Sequence, residues 1–300
     1  MATAHPVQKS PSQPGQEMTF GPQTTLPAKL RELWNYRDLI RNLVVRDLKV
    51  RYKNSVLGVL WSLLNPLLMM LVFTVVFTFL WPNQGTAHFP VFLLAGLLPW
   101  NFFQGSVMAA TASIIGHGHL IKKVYFPREV LPISVVLSNL VNFLLALLVL
   151  FSFLIVSRIG FTPYILWLPV IILIQVAFTL GLAFLFSTLN VFYRDTMMIL
   201  DVGLLAWFFL TPVFYSMEII PASKIVLGYE IAVHRLVRWL NPMASLIDAY
   251  RTILYGSTTG APPGPPALDF LFRTSLTAAI VLLVGWLVFR RFSPVFGEEI

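Results

Sequence analysis

The sequence predicts an all-α integral membrane protein. It has six transmembrane helices, an N-terminal amphipathic interface helix, and outer re-entrant helices between spans five and six. Three observations carry this expectation. First, 57% of the 300 residues are hydrophobic and only 11% are charged, against about 25% charged in soluble domains. So little polar surface cannot cover a water-soluble fold of this size. Second, a hydrocarbon core about 30 Å thick needs about 20 apolar residues of helix. Runs near 57–80, 91–115, 131–156, 164–189, 198–217 and 268–289 qualify. Third, Lys and Arg crowd before the first run, after the last, and in the connections following the second and fourth. Only Arg158, Lys224, Arg235, Arg238, Arg251 and Arg273 lie on the other side. Cytoplasmic loops carry the excess of basic residues, so both termini are cytosolic. An even number of spans independently places both termini on one side.

The remaining composition narrows the function. The formal charge is +8, but the basic residues flank apolar runs, which points to a membrane surface and not to nucleic acid. There is no cysteine, which excludes disulfides, thiolate metal sites and cysteine nucleophiles.

The elements follow in order. Residues 1–28 are rich in Pro, Gln, Ser and Thr and lack an apolar core. They read as a disordered tail and not as a secretory signal. Over 30–55, Leu33, Tyr36, Ile40, Leu43, Val44 and Leu48 recur at helical spacing, covering about 140° of the helix. A basic amphipathic helix directly before a span lies in the interfacial plane. It serves as a membrane anchor, or as a brace that also touches a cytosolic partner. The six-span transmembrane domain covers 57–290. Its second span contains Pro99, Asn101 and Gln104, so it is expected to be broken or tilted.

The cytosolic loop 116–130 places Val124, Tyr125 and Phe126 among Lys122, Lys123 and Arg128, with Pro127 and Pro132 setting the backbone. A loop needed only for orientation has no use for aromatic surface, so this one reads as a docking element. Loop 190–197 is the second cytosolic connection. Over 218–260, two apolar pieces too short to span are separated by Asn241-Pro242, a strong turn signal. Pieces of that length read as re-entrant or interfacial helices and form an outer gate. The stretch APPGPPA at 261–267 is a stiff connector, and 291–300 is a cytosolic tail.

Catalytic chemistry is missing from the sequence. There is no G-x-x-x-x-G-K-[ST] phosphate loop and no G-x-S-x-G elbow. His117 and His119 alone do not complete a metal site, so no metal is expected. Asp195 and Asp201 lie near a cytosolic boundary and not at mid-span, which argues against an ion-coupled carrier. The spans carry amides and rings instead: Trp61, Asn65, Phe73, Trp100, Asn101, Phe103, Gln104, Asn142, Trp207, Phe208 and Tyr215. Each ring alone fits helix packing. Together they also suit a sugar-chain path, where pyranose faces stack on rings and hydroxyls bond to amides. Weak binding at many sites is what conduction requires.

Several stretches resemble one family. RDLKVRYKNSVLGVLWSLLNPLLMMLVFTVVF (46–77), AGLLPWNFF (95–103), IKKVYFPREVLPIS (121–134), LNVFYRDT (189–196), TPVFY (211–215) and LNPMASLIDAYR (240–251) are similar to the permease of a type 2 ABC exporter. The resemblance runs from about 30 to 290. It points to the polysaccharide and polyol-phosphate branch, of the Wzm kind in O-antigen export and the TarG kind in teichoic acid export. It implies a homodimer in the inner membrane of a bacterium, with two separate ABC ATPase subunits that hold ATP and magnesium. This chain itself would be neither an enzyme nor a cofactor carrier.

The resemblance also implies roles. Lys122, Lys123, Tyr125, Phe126, Pro127 and Arg128 would form a coupling helix seated in the ATPase. Tyr193, Arg194 and Asp195 would make a second contact. Arg46, Lys49, Arg51 and Tyr52 would brace the ATPase, and the helices around Asn241, Pro242, Tyr250 and Arg251 would gate the outer end. A lipid-linked polysaccharide would pass outward through the dimer. A type 2 permease for a drug or lipid would have the same spans and docking loop, without needing the path of rings and amides. A stand-alone carrier or membrane scaffold is a rival from another class.

Overall fold

A computed structural model describes residues 26–53, 55–80, 86–217, 224–226, 229–231 and 233–300. The expected tail therefore lies outside the described residues except at its end, where Leu26 opens a helix. The residues up to Arg37 form one unit and Asp38–Ile300 another, and each is described by itself. In the first unit, α1 spans Leu26–Asn35 and ends in a turn, where the Tyr36 amide donates to the Glu32 and Leu33 carbonyls. The single amphipathic helix expected over 30–55 is thus divided at Tyr36, and α2 runs Arg37–Tyr52.

The second unit is built around α4, Phe89–Gly116. Helices α3 (Trp61–Val75), α6 (Val130–Val156), α7 (Leu168–Phe192), α8 (Thr196–Leu210) and α10 (Pro242–Leu254) all pack on it. A helix enclosed on every side has no polar face to show, and Leu93, Leu94, Trp100, Phe103 and Val107 are each fully buried. The break expected near Pro99 does not occur: α4 is continuous through it. The Pro99 carbonyl accepts from Gln175 Nε2 of α7 at 2.7 Å, so a neighbouring helix serves the backbone beside the proline.

Among the described residues, four helical segments are long and apolar enough to cross a membrane: Phe89–Gly116, Val130–Val156, Pro163–Phe192 and Leu268–Glu299. The first and fifth expected spans are shorter. Helix α3 has 15 residues and then loosens into a π-turn over Val76–Leu80. Helix α8 has 15 residues and stops before Thr211-Pro212. Fifteen residues of α-helix rise about 22 Å, less than the apolar core of a bilayer. Helix α8 presents Met198, Ile199, Val202, Leu205 and Phe209 outward, each more than half exposed. Such a stripe needs lipid or a partner.

Helices α7 and α11 (Leu268–Phe292) pack together most extensively. A Cβ on Gly285 would fall 2.1 Å from the Gly181 carbonyl oxygen, and one on Gly181 would fall 2.6 Å from the Val281 backbone. Paired glycines allow this contact, as small residues do between membrane helices.

Two expectations of detail change. The outer segment is not wholly helical, because Lys224–Val226 (β1) and Tyr229–Ile231 (β2) pair as a small antiparallel hairpin. Its residues 218–223, 227, 228 and 232 lie outside the described residues. Helix α9, Val233–Leu240, follows. At the C-terminus, 291–300 is folded back and not trailing: Phe296 on α12 (Phe296–Glu299) is fully buried, in edge contact with Phe289 and Phe192.

Candidate functional site

Three arrangements gather the candidate residues. The first lies at the end of the bundle where α4 and α7 finish. Asn190 Nδ2 donates to the Thr111 carbonyl at 3.0 Å, which sets the connections 117–129 and 193–195 side by side. After α4, His117 caps the short helix α5, Gly118–Lys123. Its Nδ1 contacts the Ser113 carbonyl at 2.7 Å, and its Nε2 lies 2.6 Å from Arg46 Nη2. A carbonyl cannot donate and a guanidinium cannot accept, so Nδ1 carries the proton and Nε2 accepts. This bond fastens α2 to the connection. Arg46 also pairs with Asp47 at 2.8 Å.

Lys122 and Lys123 close α5 and face solvent. Tyr125 is 95% exposed, whereas Phe126 is 7% exposed and Pro127 is buried. The adjacent rings thus part company: Tyr125 is offered outward and Phe126 holds the connection to the bundle. Arg128 is half-buried, and its Nη1 has no hydrogen-bond partner. Burial pulls its pKa below the ordinary arginine value, against the opposing pull of Glu129 and Tyr125. Tyr193, Arg194 and Asp195 are exposed in the connection after α7. Helix α12 packs on α5, with the Ile300 side chain against Gly118.

The second arrangement is a cavity of about 430 Å³ between the end of α2, α3, α4 and α6. It unites two sets of residues the sequence kept apart, Arg51 and Tyr52 with Trp61, Asn65, Asn101 and Asn142. Asn139 and Asn142 tie their amide nitrogens back to the Val135 and Ser138 carbonyls. Their Oδ1 atoms are left to accept from Arg51 Nη2 at 2.9 Å and from Tyr52 Oη at 2.7 Å. A three-residue step on α6 puts both amides on one face, opposite neighbouring residues of α2. Arg51 and Tyr52 therefore reach the bundle with their polar tips, although Arg51, like Lys49, stays exposed overall.

The other candidate path residues are dispersed. Trp100 and Phe103 are fully buried, which corrects the expectation that they line a path. They pack in one aromatic cluster with Phe178, Trp207 and Phe208, ring centroids 5.2–6.4 Å apart. Gln104 accepts from Trp100 Nε1 at 2.8 Å. Phe73 stacks on Phe77, and Tyr215 Oη donates to the Phe209 carbonyl at 3.2 Å.

The third arrangement sits at the opposite end. Asn241 joins three elements: its Oδ1 caps α10 at Ala244 N and accepts from Trp207 Nε1 at 3.0 Å, and its Nδ2 donates to Thr211 Oγ1 at 2.8 Å. Pro242 takes the first helical position, where its missing N–H costs nothing. Helix α10 is then buried along most of its length. Tyr250 Oη donates to Gln175 Oε1 at 2.7 Å, so one relay runs from α10 through α7 to α4. The Arg251 guanidinium donates to the carbonyls of Phe92, Pro212, Val213 and Tyr215 and lies 3.6 Å over the Phe92 ring centroid. Gly96 makes room for it, since a Cβ there would meet Arg251 Nη2 at 2.6 Å. Tyr250 and Arg251 thus sit inside the bundle and not on its outer surface.

His117, Asn139 and Gln175 are not among the site residues that the sequence singles out. A polar residue a helical step from another in an apolar span was the available signal for Asn139. Among the described residues, no three His, Cys, Asp or Glu come together as a metal site.

Residues 38–255 match the family described as ABC-2 type transporter. The chain is 40% identical over 275 residues to an O-antigen export system permease protein RfbA of Myxococcus xanthus, covering 90% of this chain and 98% of that protein. Two Klebsiella pneumoniae proteins of the same name are 34% and 33% identical over 265 residues, each covering 87% of this chain and 94% of its relative. The chain belongs to the ABC-2 type transporter family.

Proposed function

We propose that this chain is the membrane subunit of an ATP-driven exporter that passes a lipid-linked polysaccharide outward across the cytoplasmic membrane. It is a transport subunit and not an enzyme. Two copies line the path and two ABC ATPase subunits, holding ATP and magnesium, bind beneath. The relatives support the polysaccharide reading by the names they carry.

The observation that carries the coupling is the exposed Tyr125 between Lys122, Lys123 and Arg128, next to Tyr193, Arg194 and Asp195. An aromatic side chain held in solvent among cations is the composition of a binding anchor with a polar rim. The chain has no phosphate loop, so work enters through contact with a partner, and this surface is where it enters. The end that bears it faces the cytosol, with both termini. Closure of the ATPase pair shifts the bundle between two states. The path for the polymer is drawn from surface-accessible candidates, Trp61, Asn65, Phe73, Asn101 and Asn142. Asn241 and α10 form the outer end, moving as part of the bundle.

The test is Tyr125→Ala in the assembled exporter. Surface polysaccharide should fall at least tenfold while the chain accumulates and dimerises normally, with ATP hydrolysis no longer stimulated by substrate. Wild-type export by this variant, or ATP hydrolysis by the isolated chain, would refute the reading.

A further inference from the structure

The cavity between α2, α3, α4 and α6 is lined by one cation and four amides together with apolar side chains. Its polar lining includes Arg51, Tyr52, Asn65, Asn101, Asn139 and Asn142. Leu98, Phe102, Phe143, Ala146 and Pro66 line it as well. Arg51 uses one N–H on Asn139, and a guanidinium has five. Among the described residues no carboxylate pairs with it, and neither Asn65 nor Asn101 makes a side-chain hydrogen bond. The lining therefore holds, among the described residues, an uncompensated cation and two free amides beside hydrocarbon. Helices α3 and α6 also expose Leu68, Met69, Leu144 and Leu148, a surface that suits hydrocarbon chains.

We infer that this cavity seats the phosphate headgroup of a membrane lipid, with Arg51 as its cationic partner and Asn65 and Asn101 as donors. The volume of about 430 Å³ is large enough for a headgroup. Arg51 suits the task because its fork meets phosphate oxygens in pairs. The Arg51–Asn139 and Tyr52–Asn142 bonds hold the donors in place beforehand, which lowers the ordering cost of binding. The inference rests on the chain lying in a bilayer with this end at a leaflet surface, and not on which polymer is exported. Lipid phosphate comes from two sources, bulk phospholipid and a polyprenyl carrier.

The experiment titrates the purified full-length chain in neutral detergent with four probes. These are a short-chain phosphatidylglycerol, farnesyl pyrophosphate, a diacylglycerol of matched chains, and inorganic pyrophosphate. Both phosphate-headed lipids should bind at least tenfold more tightly than the other two, the scale of one charge-assisted contact. Arg51→Gln should remove at least that factor, and Asn139→Asp, which pairs Arg51 and repels phosphate, should do the same. Arg41→Gln, an equal charge loss on an exposed position of the same helix, should change affinity by less than about twofold.

Thermal unfolding accompanies each titration. Asn65→Leu, which leaves the Arg51–Asn139 bond intact, replaces any variant that does not fold and should weaken binding likewise. Tighter binding of farnesyl pyrophosphate assigns the seat to a carrier, and tighter binding of phosphatidylglycerol assigns it to bulk lipid. Either order supports a lipid-phosphate seat. Equal binding of diacylglycerol or of inorganic pyrophosphate overturns it, as does equal loss in the Arg41 and Arg51 variants. A chain that exports polymer but fails this titration refutes the seat alone.

Discussion

Replacing Arg251 with Leu should collapse one end of the bundle. The guanidinium is buried and donates to four carbonyls, three of them in the turn Pro212–Tyr215 after α8. That turn exists because Pro212 cannot continue a helix, so its carbonyls have no helical donor to return to. Leu fills part of the volume and supplies no donor. Each carbonyl left buried and unpaired costs about 1–3 kcal/mol, so three cost roughly 3–9 kcal/mol if nothing relaxes. Water entering the nearby cavity at Ser216 and Thr252 would recover part of this, so about 4 kcal/mol is a working value. For a chain of this size that corresponds to a fall in Tm of about 8–16 °C. Arg251→Lys keeps the charge and loses the fork, so its fall should be intermediate. The assay is thermal unfolding of the detergent-solubilised chain, followed by size-exclusion profile. A Leu variant within about 2 °C of wild type would show that the arginine does not hold the turn, because even one unpaired carbonyl costs more.

Phe126→Ala should lower stability by about 3 kcal/mol, the low end of the range for a buried Phe, because its ring is buried. Tyr125→Ala, one residue away and exposed, should leave unfolding within about 0.5 kcal/mol of wild type; equal losses would refute the division of labour between the two rings. Trp100→Ala should impair folding, by about 3–5 kcal/mol, because the ring is fully buried among Phe103, Trp207 and Phe208. Wild-type unfolding with blocked export would restore Trp100 to the polymer path. Gly285→Ala should part α7 from α11, since its Cβ would lie 2.1 Å from the Gly181 carbonyl oxygen. A clear fall in the yield of folded chain is expected, and an unchanged yield would show that the helices are free to separate.

The sequence makes the bundle legible because bilayer thickness acts on each helix separately. Span length, flanking charge and turn residues are local, and the Asn241-Pro242 break is read from a dipeptide. What it hides is direction around the helix axis. Trp100 and Asn101 are neighbours, yet Trp100 is fully buried while Asn101 borders the cavity. Their 100° separation decides this once α6, α7 and α8 are packed. In a soluble protein, apolar and polar faces reveal that angle. Here lipid is as apolar as the core, so the hydrophobic pattern carries little of it.

Polar residues carry the missing information, but only in pairs distant in sequence. Arg51 and Asn139 are separated by 88 residues, Gln175 and Tyr250 by 75, and Arg251 and Phe92 by 159. An intramembrane polar group without a partner is costly, so each amide in an apolar span implies a partner without naming it. Asn139 and Asn142 show how far such reasoning reaches. Their three-residue step is enough to mark one face of α6. That the face meets Arg51 and Tyr52 follows only from where α2 ends. Binding of a lipid phosphate there would give those amides a second duty: they would hold the cation ready when the seat is empty and share it when the seat is filled.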